Sequence, residues 1–101
     1  MIMRLWHGWT KAKDADEYER LLREEILPGI HRVQGYGGCW ILRRAAGEEV
    51  EFVTITTWES WRAIEEFAGE GRSKSVIHPK AARLLTRHDE HSEHFDAAWV
   101  P

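Results

Sequence analysis

The spacing of apolar and polar residues changes period several times along the chain, and each change marks an element. Ile2 to Thr10 is a run of large aliphatic and aromatic side chains that halts at Lys11-Ala12-Lys13, which predicts a first strand. From Asp14 the spacing becomes helical. Asp14 takes an N-cap position with Glu17 three residues on, as in a capping box. Tyr18, Leu21, Leu22, Glu25 and Ile26 then form one stripe, apolar except at Glu25, to about Leu27. Pro28-Gly29 is expected to stop this helix, and Ile30 to Gln34 to act as a connector. Gly35-Tyr36-Gly37-Gly38 opens a second strand that runs through Arg44, and Ala45 to Glu49, with Gly47, reads as a hairpin loop. Val50 to Trp58 is the third strand, strongly β in character through Val53, Ile55 and its threonines. Ser60 caps a second helix with a stripe of Ala63, Ile64, Phe67 and Ala68, ended by Gly69 and Gly71. After a loop from Arg72 to Ile77, His78-Pro79 starts a short helix to Leu85, with proline at its favoured first position. His88 to Val100 reads as a fourth strand.

Strand, helix, strand, strand, helix, short helix, strand is the split βαβ order of an α+β, ferredoxin-like domain. It predicts a four-stranded antiparallel sheet with the main helices on one face. In the third strand, one face carries Phe52, Thr54, Thr56 and Trp58, and the other Val53, Ile55 and Thr57. Both sets contain large apolar residues, so neither face is built for water. A twofold partner laying its own sheet on the uncovered face resolves this conflict, and a homodimer with a pocket in each subunit is expected.

Composition narrows the reading further. With 101 residues the chain is read as one domain, residues 1–101, of a size that gains from association. A net charge of −3, with no basic stripe, makes nucleic acid an unpromising partner. No apolar run approaches the length of a membrane span, and Met1 to His7 has no signal-peptide architecture. The lone cysteine, Cys39, excludes an internal disulfide, matches a reducing cytoplasm and reads as a small core residue. Six tryptophans are many for so short a chain, and some are expected to line a cavity or an interface.

The run Phe52-Val53-Thr54-Ile55-Thr56-Thr57-Trp58-Glu59-Ser60, followed by Ala63-Ile64 and Phe67-Ala68-Gly69, resembles the antibiotic biosynthesis monooxygenase-like family of dimeric α/β barrels. The closing His94-Phe95-Asp96, the opening Arg4-Leu5-Trp6-His7-Gly8-Trp9 and the helix from Pro79 to Leu85 extend the resemblance over nearly the whole chain. It implies a dimeric α/β barrel. The family includes cofactor-free oxygenases of polyketide quinols, haem-degrading enzymes, decarboxylases or isomerases, and members with no assigned reaction, so the fold by itself names no chemistry.

The candidate site residues follow from the aromatic strands and the histidines. Trp6, Trp58, Thr56 and Trp40 are candidate walls of a pocket for a planar aromatic molecule. Trp58 reads more readily as a core residue at the strand–helix junction, and Trp40 faces either way because its strand register is open. His94 is the candidate general base, since imidazole titrates near neutrality, against a histidine hydrogen-bonded across the sheet or interface. His78 is the haem-ligand candidate of the alternative reading, against a solvent-facing residue at a helix start. The haem-degrading relatives implied by the resemblance carry their ligand histidine in a helix near this point. His88, His91 and His94 are spaced by three, which a strand divides between faces, so no metal site is expected. The leading expectation is a cofactor-independent monooxygenase-like enzyme acting on an aromatic or quinol substrate. Haem binding, or non-catalytic binding of a small ligand, are the alternatives.

Overall fold

The computed structural model describes residues 1–101. β1 (Ile2–Lys11) is followed by a 3-10 turn (Ala12–Asp14), α1 (Ala15–Leu21), a π-helical stretch (Leu22–Ile26) and α2 (Leu27–Ile30). Then come β2 (Tyr36–Ala46), β3 (Glu49–Trp58), α3 (Trp61–Ala68), α4 (Pro79–Ala82), β4 (Leu85–His88) and β5 (Glu93–Asp96). The sheet order is β2-β3-β1-β4, and β5 pairs with β1 on the same edge as β4. All of these pairings are antiparallel. This is the expected α+β, ferredoxin-like arrangement, with the closing strand in two pieces. β4 pairs with β1 around Gly8 to Thr10 and β5 around Ile2 to Leu5, so Asp89–Ser92 interrupts one edge strand. The strand expected from His88 to Val100 therefore begins at Leu85 and ends at Asp96, and α4 is correspondingly shorter than the helix expected to reach Leu85.

The first helix also differs from expectation. Pro28 does not stop it, and helical structure runs on to Ile30. The reason is the π stretch, in which the Leu27 N–H reaches back to the Leu22 carbonyl. The wider turn changes the ladder just before Pro28, where an α-helix would require an N–H that proline lacks. Asp14 takes the N-cap position, but its side chain caps nothing, because the 3-10 turn leads directly into α1. Other local signals behave as their chemistry dictates. Ser60 accepts from Ala63 N at 3.2 Å. Gly69 ends α3 at φ 81°. The β2–β3 hairpin closes through Gly47 at φ 68°, with Ala46 opposite Glu49.

Register fixes which residues face the helices. Ile2, Arg4, Trp6 and Gly8 of β1 lie beside Trp58, Thr56, Thr54 and Phe52 of β3. On this face the core falls into two clusters. One gathers Phe52 with Ala15, Tyr18, Leu21, Leu22 and Ala81. The other gathers Trp58 with Ile2, Ala63 and Ile64. Between the two large aromatics of β3 stand only Thr54 and Thr56. The opposite face is covered by nothing in the chain. It presents Trp40, Leu42 and Phe95, each about half exposed, around partly covered Leu5, Val53 and Ile55. No helix is long and apolar enough to cross a membrane.

Candidate functional site

Two threonines between two aromatic-centred clusters leave a gap, and a mainly apolar cavity lies in it. It takes in about 610 Å³ of space, its open mouth included, and ten of its fifteen lining residues are hydrophobic. Thr54 and Thr56 with Arg4 and Trp6 form the sheet wall. The first helical segment contributes Tyr18, Leu22 and Ile26, α3 contributes Phe67, and Val76 to His78 run along the mouth. Its lining is mostly apolar with a few polar groups, the pattern of small-molecule sites.

Trp6 is held across this wall by its indole. Nε1 donates to Ser75 Oγ at 2.6 Å and to the Asp89 carbonyl at 2.8 Å. Gly8 makes room for the ring, because a Cβ there would lie 3.1 Å from Trp6 Cζ3 and 2.9 Å from Leu85 Cδ2. The polar end of the cavity is organised by Arg4. Its Nη2 donates to the Lys74 carbonyl at 3.0 Å and its Nη1 to the Arg72 carbonyl, while its guanidinium lies over the Phe67 ring. Nη1 also contacts His94 Nε2 at 3.0 Å. An arginine has only donors, so the imidazole is the acceptor and carries its own proton on Nδ1. Burial, then the charges of Arg4 and Arg72, hold the His94 pKa below its ordinary value of 6.5. The folded chain therefore binds fewer protons here than the unfolded chain, and stability declines as pH falls through 6.5. Between about pH 7.5 and about pH 5.5 the wild type is expected to lose more melting temperature than His94→Gln, which keeps an acceptor for Arg4 but does not titrate. Equal losses in the two proteins would refute a ring held neutral.

The structure thus brings Trp6, Thr56 and His78 to the cavity, and puts His94 one contact behind its Arg4 wall. Trp58 does not line it. The indole is 1% exposed, packed against Tyr36 and Phe67, and donates to Thr56 Oγ1 at 2.8 Å. Trp40 does not line it either. It is opposite Ile55 on the uncovered sheet face, and 51% exposed. The pocket is made by the helices and sheet of a single chain. His88, His91 and His94 diverge: His88 lies near Trp6, His91 Nδ1 bonds Ser73 Oγ, and His94 meets Arg4. No cluster of three or more His, Cys, Asp or Glu side chains suited to a metal occurs. Cys39 is only partly buried and belongs to neither core cluster, but burial still pushes its thiol up to about 11, which leaves little thiolate at neutral pH. The important residue missed by sequence reasoning is Arg4. It stands two positions before Trp6, so strand alternation alone puts both on one face.

No protein-family model and no curated protein sequence matches the chain. Solved structures do match. The haem-degrader MhuD of Mycobacterium tuberculosis, with two haems in its active site, superposes with a TM-score of 0.68 at 19% identity, covering 100% of this chain and 99% of that one. SnoaB of Streptomyces nogalater, a cofactor-independent oxygenase, gives 0.67 at 19% identity, covering 98% and 95%. A Nitrosomonas europaea protein assigned to the antibiotic biosynthesis monooxygenases gives 0.70 at 13% identity, covering 98% and 100%. The chain has the ferredoxin-like α+β fold of the antibiotic biosynthesis monooxygenase structures.

Proposed function

We propose that this chain is a cofactor-independent, oxygenase-type enzyme that works as a homodimer on a planar aromatic or quinol substrate bound between its own helices and sheet. The observation that carries the reading is the cavity, lined mostly by apolar side chains and including Arg4, which contacts His94. The likeness to SnoaB, described as a cofactor-independent oxygenase, supports it. In such chemistry the protein binds an electron-rich phenol or quinol, excludes water and removes a proton, and dioxygen is the oxidant. His94 is the proposed base. Its ring is neutral near pH 7 and so able to receive a proton. The Nε2 lone pair is held by Arg4 Nη1–H, and an incoming hydroxyl would have to displace that contact. The O–H bond then breaks, its proton passes to Nε2, and the electron pair stays on the substrate oxygen. Trp6 and Thr56 are proposed to line the substrate.

Haem is the alternative cofactor for this fold, and His78 is the residue that would have to hold it. His78 lines the cavity but is engaged in a capping bond. His78 Nδ1 accepts from Lys80 N at 3.1 Å as the N-cap of α4. The neutral ring then carries its proton on Nε2, the nitrogen an iron ion would need. Freeing a lone pair on Nε2 would move the proton to Nδ1 and cost the helix its cap.

The test uses 1,4-dihydroxynaphthalene. Anaerobic addition is expected to quench tryptophan fluorescence saturably, and admission of air to give dioxygen uptake above autoxidation. In His94→Ala the accelerated part of the uptake should fall on the order of 100-fold. Haemin is expected to give no Soret shift. Binding without uptake would replace the enzyme with a non-catalytic ligand carrier. A Soret shift abolished by His78→Ala would replace it with a haem protein.

A further inference from the structure

Arg4 is 4% exposed, yet no carboxylate of the chain pairs with it. The ion pairs of the molecule involve His7, Arg20, Arg23, Arg43, Arg44, Arg72, Lys80 and Arg87, but not this one. Its polar partners are the carbonyls of Arg72 and Lys74 and the Nε2 of His94, all uncharged acceptors. A buried cation is costly unless an opposite charge meets it. No neighbour supplies that charge: Arg72 is itself a cation and spends its own pairing on Glu65 at 3.1 Å. Burial holds Arg4 down at about 10, below its ordinary value, which still leaves the guanidinium charged at neutral pH.

The donors left over have a direction. Nη1 meets two acceptors and Nη2 one, while Nε has no protein partner. Nε–H lies on the Nε–Nη2 edge of the guanidinium, the edge that can pair with a carboxylate through two parallel hydrogen bonds. The residue lines the cavity, and buried Ser92 lines it as well.

We infer that the cavity is built for an aromatic carboxylate, whose ring lies along Trp6, Tyr18 and Phe67 and whose acid group is taken by the free edge of Arg4. This rests on the reading of the cavity as the ligand site and adds the charge of the ligand to it. A purely structural arginine, clamping the Arg72–Lys74 loop to β1, would not distinguish an acid from its amide.

The experiment is calorimetric titration of the full chain at neutral pH with 2-naphthoate and with 2-naphthamide, which share a ring system and differ in charge. The wild type is expected to bind the acid at least about tenfold tighter. Arg4→Met is expected to bring the two to within about twofold of each other by weakening the acid alone. If Arg4→Met does not fold, Arg4→Gln, which retains amide donors without the charge, takes its place. Equal affinities in the wild type, or a preference that survives both substitutions, would overturn the carboxylate assignment and leave the cavity as a ligand site. Failure of both compounds to bind would overturn the assignment and the ligand-site reading together.

Discussion

Trp58→Ala is expected to remove about 3–5 kcal/mol of folding stability, the range for truncating a fully buried tryptophan. The indole is the centre of the second core cluster. It stacks on Phe67 at 5.2 Å, meets Tyr36 edge-on at 5.5 Å and donates to Thr56 Oγ1 at 2.8 Å. Truncation leaves a void under α3, takes the partner from a buried hydroxyl, and removes the support behind Thr56 and Phe67, which line the cavity. In a domain whose total stability is on the order of 5–15 kcal/mol, such a loss brings the folded state close to its limit. Denaturant unfolding of the variant, followed by circular dichroism, measures it. Trp58→Phe keeps the ring packing and is expected to lose less than half as much. A change below about 1 kcal/mol for the alanine variant would mean that the indole belongs to the cavity lining after all, and not to the core.

The second large effect is on assembly. Ile55→Glu is expected to convert a wild-type dimer into a folded monomer. Ile55 lies at the middle of the uncovered sheet face, between Trp40 of β2 and Leu5 of β1, with Val53, Leu42 and Phe95 on the same face. A twofold arrangement would set this patch against its own copy, and a carboxylate there would be buried without a partner. Leaving a charge buried and uncompensated costs about 3–5 kcal/mol, or a dissociation constant raised on the order of 100-fold or more. Light scattering after size exclusion, at micromolar concentration, reads the mass directly. A monomeric wild type, or a variant that remains dimeric, would remove the sheet-to-sheet homodimer from the proposed function.

Much of the fold was legible because its signals are local. Ser60, Gly69 and His78-Pro79 each act within one turn of chain, and the alternation of β3 needed only its own residues. The first helix was misread at Pro28 because a single wide turn upstream changes the hydrogen-bond ladder, and no propensity scale encodes that turn. The split of the last strand depends on where Asp89–Ser92 leaves β1, which is a tertiary event. For the site, parity was enough to place Arg4 beside Trp6, but arginine in a strand is commonly an exposed residue. Only the three-dimensional inventory of its partners reveals a buried cation without an anion. Trp40 and Trp58 were ambiguous for a different reason. An aromatic in a two-sided strand suits core, cavity and interface alike until register is known.

The spacing of Phe52, Thr54, Thr56 and Trp58 carries a consequence for divergence. Alternate strand residues advance by about 6.8 Å, so the two threonines set the length of the cavity floor in fixed increments, while the aromatics at either end belong to separate cores. Exchanges at Thr54 alter the room available to a ligand without disturbing either cluster, whereas Thr56 is tied to the second cluster through Trp58 Nε1. Ligand size can therefore be retuned at Thr54 by a single substitution while both cores stay intact, a freedom that Thr56 lacks.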